Sequence, residues 1–267
     1  MDIIEAMIKK ILVLAAVSTV VLLFVRSLNN KDRLQESTQT LQEKVINVTP
    51  LKPTPKRTID FEVKGQALSF SWAEATKISN IRLNSNLKNK ETARELAKNN
   101  QCKNLVNGSF YDKSGEHIGL FIENGKTLSK YTVNRTFNGV FYISSDNMPY
   151  INTVSPQEEI RTALQSGPIL LKDGVYRKFD IKNDDKERRT MLAIADTGVV
   201  FISIYEKNSV FRGPYLSDLP EVLKEIETKL DKKFISALNL DGGTASAFIT
   251  DELTLGEISP IGSYFCF

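Results

Sequence analysis

Two segments of the chain place polar side chains on glycine turns where apolar strands end. In LVNGSFYD (105–112) an apolar run leads into Asn107-Gly108, then Ser109, Phe110 and Asp112. In LNLDGGTAS (238–246) a second run leads into Asp241, Gly242, Gly243, Thr244 and Ser246. Glycines at such points admit positive φ and let a ligand approach the backbone closely. Consecutive exposed amides there form a nest suited to phosphate or another anion. A third segment, DDKERRTMLAIA (184–195), puts Arg188, Arg189 and Thr190 at the mouth of an apolar strand. An arginine so placed suits bidentate capture of a phosphate diester. Each segment also has a purely structural reading. A Gly-Gly pair is usually a turn, tandem arginines are usually solvated, and Arg188 is expected to pair with Asp184 or Asp185. In LQSGPILLKDG (164–174) the Ser-Gly-Pro turn reads as structural, fixed by Pro168.

The elements that must hold these turns are mainly strands. IDFEV, ALSFSW, CKNLVN and GVFYIS read as strands, and the chain closes on another, IGSYFCF. Hairpins are expected at Asn124-Gly125, Asp173-Gly174 and Thr197-Gly198. ETARELAKNN reads as a helix, as does PQEEIRTAL, opened by Pro156 and capped by Ser155. LSDLPEVLKEIETKL reads as an amphipathic helix capped by Ser217. The expected class is α+β: a mixed β-sheet core built from hairpins with a few flanking helices, preceded by one N-terminal membrane helix.

In order along the chain, NGSFYD (107–112), GLFIENG (119–125), SGPILLKDG (166–174), RTMLA (189–193) and LDGGTAS (240–246) resemble the motifs of the phosphodiester glycosidase family. Bacterial members of that family are often described as exopolysaccharide biosynthesis proteins. The resemblance runs from about Cys102 to the C-terminus. Ser109, Tyr111 and Ala193 depart from the family's usual glycine, phenylalanine and glycine. The resemblance implies hydrolysis between a sugar anomeric carbon and a phosphate oxygen. Such a site needs charge neutralisation on phosphate and a carboxylate for the oxocarbenium-like centre or for water. On that basis Arg189 binds phosphate, helped by the amides of Gly242 and Gly243, with Thr190 beside it. Asp241 is the first choice of catalytic carboxylate and Asp112 the second. Asn107 and Thr244 position sugar hydroxyls, and Gly108, Ser109 and Ser246 line the substrate site. No cofactor is required, although Asp112, Asp241, Asn107 and nearby carbonyls are compatible with a divalent cation. His117, the single histidine, is read as structural.

Composition narrows the setting. The chain has 267 residues, 41% hydrophobic, with a formal charge of +3. The basic surplus lies before Thr58, so the rest is nearly neutral, which disfavours a nucleic-acid partner. Ile11–Val25 is apolar and flanked by Lys9, Lys10 and Arg26. It reads as an uncleaved single-pass signal anchor. The basic flanks do not decide its orientation, and an extracytoplasmic domain follows from the resemblance. The expected divisions are an anchor over 1–26, a polar, proline-containing stalk over 27–57 and the catalytic domain over 58–267. Leu34, Leu41 and Val48 repeat at seven residues, compatible with a stalk that forms a homodimer, although a solvated spacer explains them as well. Cys102 and Cys266 form no metal-ligand pattern, and two buried free thiols are favoured over a disulfide. Three other functions fit the same residues: an anionic-polysaccharide-binding module, a phosphodiesterase that cuts the P–O bond, and a structural envelope protein.

Overall fold

Alternating side chains and short turns set the architecture, seen in a computed structural model that describes residues 57–267. The first half contains β1 (Thr58–Val63), β2 (Gln66–Ala75), β3 (Arg82–Ser85), α1 (Ala93–Asn99), β4 (Leu105–Asn107), β5 (Phe121–Glu123), β6 (Lys126–Ser129), β7 (Gly139–Ser144) and β8 (Pro149–Asn152). The second contains β9 (Ile160–Ser166), β10 (Ile169–Lys172), β11 (Val175–Tyr176), β12 (Arg189–Ala195), β13 (Gly198–Glu206), α2 (Leu219–Leu230), β14 (Phe234–Asn239), β15 (Phe248–Ile249), β16 (Thr254–Leu255) and β17 (Ser263–Cys266). The expected anchor and nearly all of the stalk fall outside the described residues. Among the described residues no helix is long and apolar enough to cross a membrane.

The strands form three sheets, in the orders β1-β2-β13-β12-β14-β10-β11, β16-β15-β4-β17-β3 and β6-β5-β9-β7-β8. The domain is sheet-rich with few helices, as expected, but the sheets are not mixed. Strand pairing within them is antiparallel, as short hairpin connections require. The three hairpin turns appear where expected, between β5 and β6, β10 and β11, and β12 and β13.

Period-two alternation explains the layering. Along β12, Leu192 and Ile194 enter the core shared with Phe141, Phe201 and Phe265. Met191, Ala193 and Ala195 face the opposite side, where Leu219, Val222, Leu223 and Ile226 of α2 cover the large sheet. Such a strand is buried on both faces and reads as a continuous apolar run. Helix α1 opens on a capping box between Thr92 and Glu95 and packs Ala93 and Leu96 against the β4 and β17 layer.

Two helix expectations need correction. Residues 160–166 form strand β9 between β5 and β7, not a helix. Leu164 there turns into the central core and Ala163 to the outer face, so tertiary pairing overrides the local helix signal. Helix α2 begins after a short 3₁₀ turn, without a side-chain cap. Its cap residue Asp218 is engaged by Lys64 and Gln66, and the Ser217 amide donates to Asp184.

Cys102 and Cys266 are joined in a disulfide, contrary to the free thiols favoured from sequence. Packing of α1 brings Cys102, three residues beyond the helix, beside Cys266 of the last strand, 164 residues away. Closing so long a loop restricts the unfolded chain. The Cys102→Ala/Cys266→Ala variant is expected to lose about 2–5 kcal/mol of unfolding free energy. A urea titration that gave an unchanged midpoint and slope would contradict this.

Candidate active site

The two glycine turns meet at the ends of β4 and β14, where backbone and amide groups sew them together. Asn107 is 1% exposed; its Nδ2 donates to the Asp241 carbonyl (2.8 Å) and its Oδ1 accepts from the Ala247 amide (3.0 Å). The Asp241 amide in turn donates to the Gly108 carbonyl (3.0 Å). Gly108 and Ser109 donate to Ser263, through its carbonyl (2.8 Å) and its hydroxyl (3.0 Å). A side chain on Gly108 would run into the Ser263 hydroxyl, so the close approach of β17 requires glycine. The Ser-Gly-Pro turn supports β14 from the other side: Ser166 Oγ donates to the Asn239 carbonyl and Asn239 Nδ2 to that of Gly167, both at 2.8 Å.

The tandem arginines divide between two tasks. Arg188 is 1% exposed and donates to Ser246 Oγ (3.1 Å), to the Ser246 carbonyl and to the carbonyls of Gly256 (2.6 Å) and Val210 (3.1 Å). It is therefore neither solvated nor paired with Asp184 or Asp185. Ser246 Oγ also lies 2.8 Å from Thr190 Oγ1, so Thr190 and Ser246 are buried members of the Arg188 network. Arg189 is the residue that meets Asp184, at 3.4 Å. Its Nε donates to the Pro214 carbonyl (3.2 Å) and its Nη2 to the Asp185 carbonyl. Asp184 also accepts from the Leu216 and Ser217 amides, which pins the loop before β12 to the start of α2. Arg189 Nη1 faces Glu187 at 3.9 Å, outside hydrogen-bond reach.

Asp241 is 8% exposed, and its Oδ1 accepts from the Gly242 amide (2.8 Å). Burial pushes its carboxyl up to about 8, opposed by the Gly242 hydrogen bond and assisted by the charge of Glu187. At neutral pH this group is therefore an acid rather than a carboxylate. Two residues that sequence reasoning did not select stand beside it. Glu187 lies over Gly243, whose φ is +60° and whose missing side chain leaves room for that carboxylate. Tyr111 packs its ring against Gly262, donates to the Pro260 carbonyl (2.7 Å) and has its pKa raised by burial and then by Asp241. Nothing in the run DDKERRT distinguishes Glu187 from a solvated charge.

The expected anion nest is absent from its expected place. The Gly242 amide is spent on Asp241 and the Gly243 amide on the Arg188 carbonyl (2.8 Å). Thr244 is exposed; its carbonyl accepts from the amides of Ile258 and Ser259, and its hydroxyl from that of Ser259. Asp112 is exposed and caps its own loop, accepting from Ser114 and Glu116, which holds its carboxyl below the usual range. The oxygen set considered for a cation is thus divided, since Asn107 Oδ1 is also occupied by Ala247. Among the described residues no three His, Cys, Asp or Glu side chains converge as metal ligands. His117 stacks on Phe121 at 3.7 Å, lies 2.8 Å from Ser85 Oγ and is pushed down to about 4 by burial, consistent with a structural role.

The buried acid makes stability depend on pH. Folded Asp241 keeps its proton to about pH 8, whereas the unfolded chain releases it near 3.8. Its contribution to stability is fully present below about pH 4 and is lost as pH rises through about 8. Asp241→Asn is expected to flatten that loss. Thermal melts of both proteins between these limits check this, and parallel curves would contradict it.

The family described as NAGPA, phosphodiester glycosidase, matches residues 100–263, more than half of the chain. The uncharacterized protein YigE of Escherichia coli (strain K12) is 34% identical over 84 residues, which cover 28% of this chain and 33% of that protein. The match therefore spans only a third of that relative. Among solved structures, the zebrafish N-acetylglucosamine-1-phosphodiester alpha-N-acetylglucosaminidase catalytic domain, auto-inhibited by its pro-peptide, superimposes with a TM-score of 0.62 and 17% identity. That superposition covers 79% of this chain and 81% of the zebrafish one. A hypothetical protein from Synechocystis gives 0.52 at 12% identity, over 79% and 61% of the two chains. Both structural likenesses concern the fold. The five ordered motifs and the family match over residues 100–263 identify this chain as a member of the phosphodiester glycosidase family.

Proposed function

We propose that this protein is a membrane-anchored hydrolase that cleaves the glycosidic C–O bond of a sugar–phosphate diester in an envelope glycan. One observation carries the reading: a buried carboxyl group, Asp241, is held by the Gly242 amide in the glycine turn that Arg189 and Glu187 line. A phosphomonoester is a good leaving group, so the demand on the site is modest. Arg189 Nη1 neutralises the phosphate while its other nitrogens keep the guanidinium fixed. Asp241 supplies the proton that the departing oxygen takes, a role usually worth ~10²–10⁴-fold. This differs from the sequence-based assignment, in which Asp241 acts as a carboxylate.

Family membership supports the substrate class. The Cys102–Cys266 disulfide supports an oxidising compartment, and the apolar segment 11–25 supports the membrane anchor. The glycan is the partner.

The test is hydrolysis of a panel of glycosyl-1-phosphodiesters in ¹⁸O-labelled water. Label is expected in the sugar, with kcat/KM declining above about pH 8 as Asp241 ionises. Asp241→Asn should lower turnover ~10²–10⁴-fold while remaining folded, and Arg189→Ala should weaken it through the phosphate. Label in the phosphate would show P–O cleavage instead. Glycan binding without turnover would leave a binding module.

A further inference from the structure

We propose that Glu187 is the second catalytic carboxyl group of this site, the base that activates water opposite the Asp241 acid. The proposal rests on the glycosyl-phosphodiester reading above. It begins from the Gly242–Gly243 turn, which has one carboxyl group at each residue. Asp241 Oδ1 is held by the Gly242 amide at 2.8 Å. Glu187 lies against Gly243, where a Cβ would come within 2.9 Å of its carboxyl carbon. A side chain at 243 would require the Glu187 carboxylate to shift and would be strained at φ +60°.

The backbone that carries Glu187 is held from several sides. Its carbonyl packs on Gly213, where a side chain would collide with it. The next amide, of Arg188, donates to the Phe211 carbonyl (3.1 Å), and the Arg188 guanidinium is buried beneath. The Glu187 side chain itself is 47% exposed, whereas Asp241 is 8% exposed. One carboxyl group is therefore wet and the other dry, the contrast that separates a base from an acid in a carboxyl pair. Arg189 Nη1, at 3.9 Å, attracts Glu187 without occupying its lone pairs in a hydrogen bond. Tyr111, from the first turn, interacts with Asp241, and Asp184 and Asp185, from the loop before β12, act with Glu187 on Arg189. Asp112, the alternative second carboxylate, is spent on its own loop.

The step balances without a further reactant. The water oxygen bonds to the anomeric carbon and its proton passes to Glu187. The bond from that carbon to the phosphate oxygen breaks, and the electron pair stays on the oxygen, which takes the proton of Asp241. Free sugar and a phosphomonoester leave, and solvent returns the proton from Glu187 to Asp241.

The experiment uses the full chain with the diester panel and the variants Glu187→Ala and Glu187→Gln. Both should lose turnover ~10²–10⁴-fold. Azide should restore turnover to Glu187→Ala and yield a glycosyl azide, which a merely structural residue would not do. In parallel, the ¹³C-labelled Asp241 carboxyl is titrated by NMR, and its midpoint should fall in Glu187→Gln because a neighbouring negative charge is gone. Wild-type turnover retained by Glu187→Ala overturns the base assignment alone. So does a folded, inactive Glu187→Ala that azide does not rescue, with an unmoved Asp241 midpoint in Glu187→Gln. A wild type inactive on every diester overturns the functional reading, and the base assignment with it.

Discussion

Burial of the Arg188 guanidinium is the constraint around which the site is arranged. Removing such a cation from water costs several kcal/mol unless its donors are satisfied. Here they meet oxygens of Ser246, Gly256 and Val210, and burial lowers the group only to about 10, so it stays charged at neutral pH. Those acceptors belong to separate stretches of chain, so a single side chain ties the approach to β12 to the turn after β13 and to the return after Asp241. Strand alternation then sends Arg188, Thr190 and Leu192 to one side of β12 and Arg189 and Met191 to the other. Adjacent arginines consequently have different fates. One is interior scaffold, and the other holds the loop that carries Glu187.

The same burial decides the chemistry available to Asp241. Its amide, its carbonyl and one carboxyl oxygen are each engaged, by Gly108, Asn107 and Gly242. A carboxyl group so enclosed favours its neutral form, and the neighbouring Glu187 charge reinforces this. Fixing the turn this firmly consumes the amides that would otherwise bind an anion. In the proposed reading, charge compensation for a phosphate then falls to the Arg189 side chain, whose Nη1 lies 3.9 Å from Glu187.

Features with local causes are legible in the amino-acid sequence. Asn124-Gly125, Asp173-Gly174 and Thr197-Gly198 turn hairpins because positive φ at Asn124, Asp173 and the glycines is a property of those few residues. Thr92 and Glu95 cap α1 for an equally local reason. Residues 160–166 defeat such reasoning because their helix-forming composition is overruled by partners on β5 and β7, which no window of sequence contains. The disulfide escapes it for a related reason, since only the packing of α1 on the final sheet brings its two ends together. Glu187 is hidden in the same way, because an acidic residue in a charged run acquires meaning only from Gly243, which is remote in sequence.

The motifs themselves divide along this line. Asn107, Gly108, Ser166, Thr190 and Ser246 lie in the recognisable segments, yet each is buried and bonded to protein. Those bonds preserve the relative placement of two strand ends. A family pattern built from such residues identifies the fold and the position of Asp241 and Arg189 well. Glu187 and Tyr111, by contrast, interact electrostatically with Asp241 and remain partly exposed. Under the proposed function, a substrate group beside Glu187 would meet a negative charge and one beside Tyr111 an aromatic face.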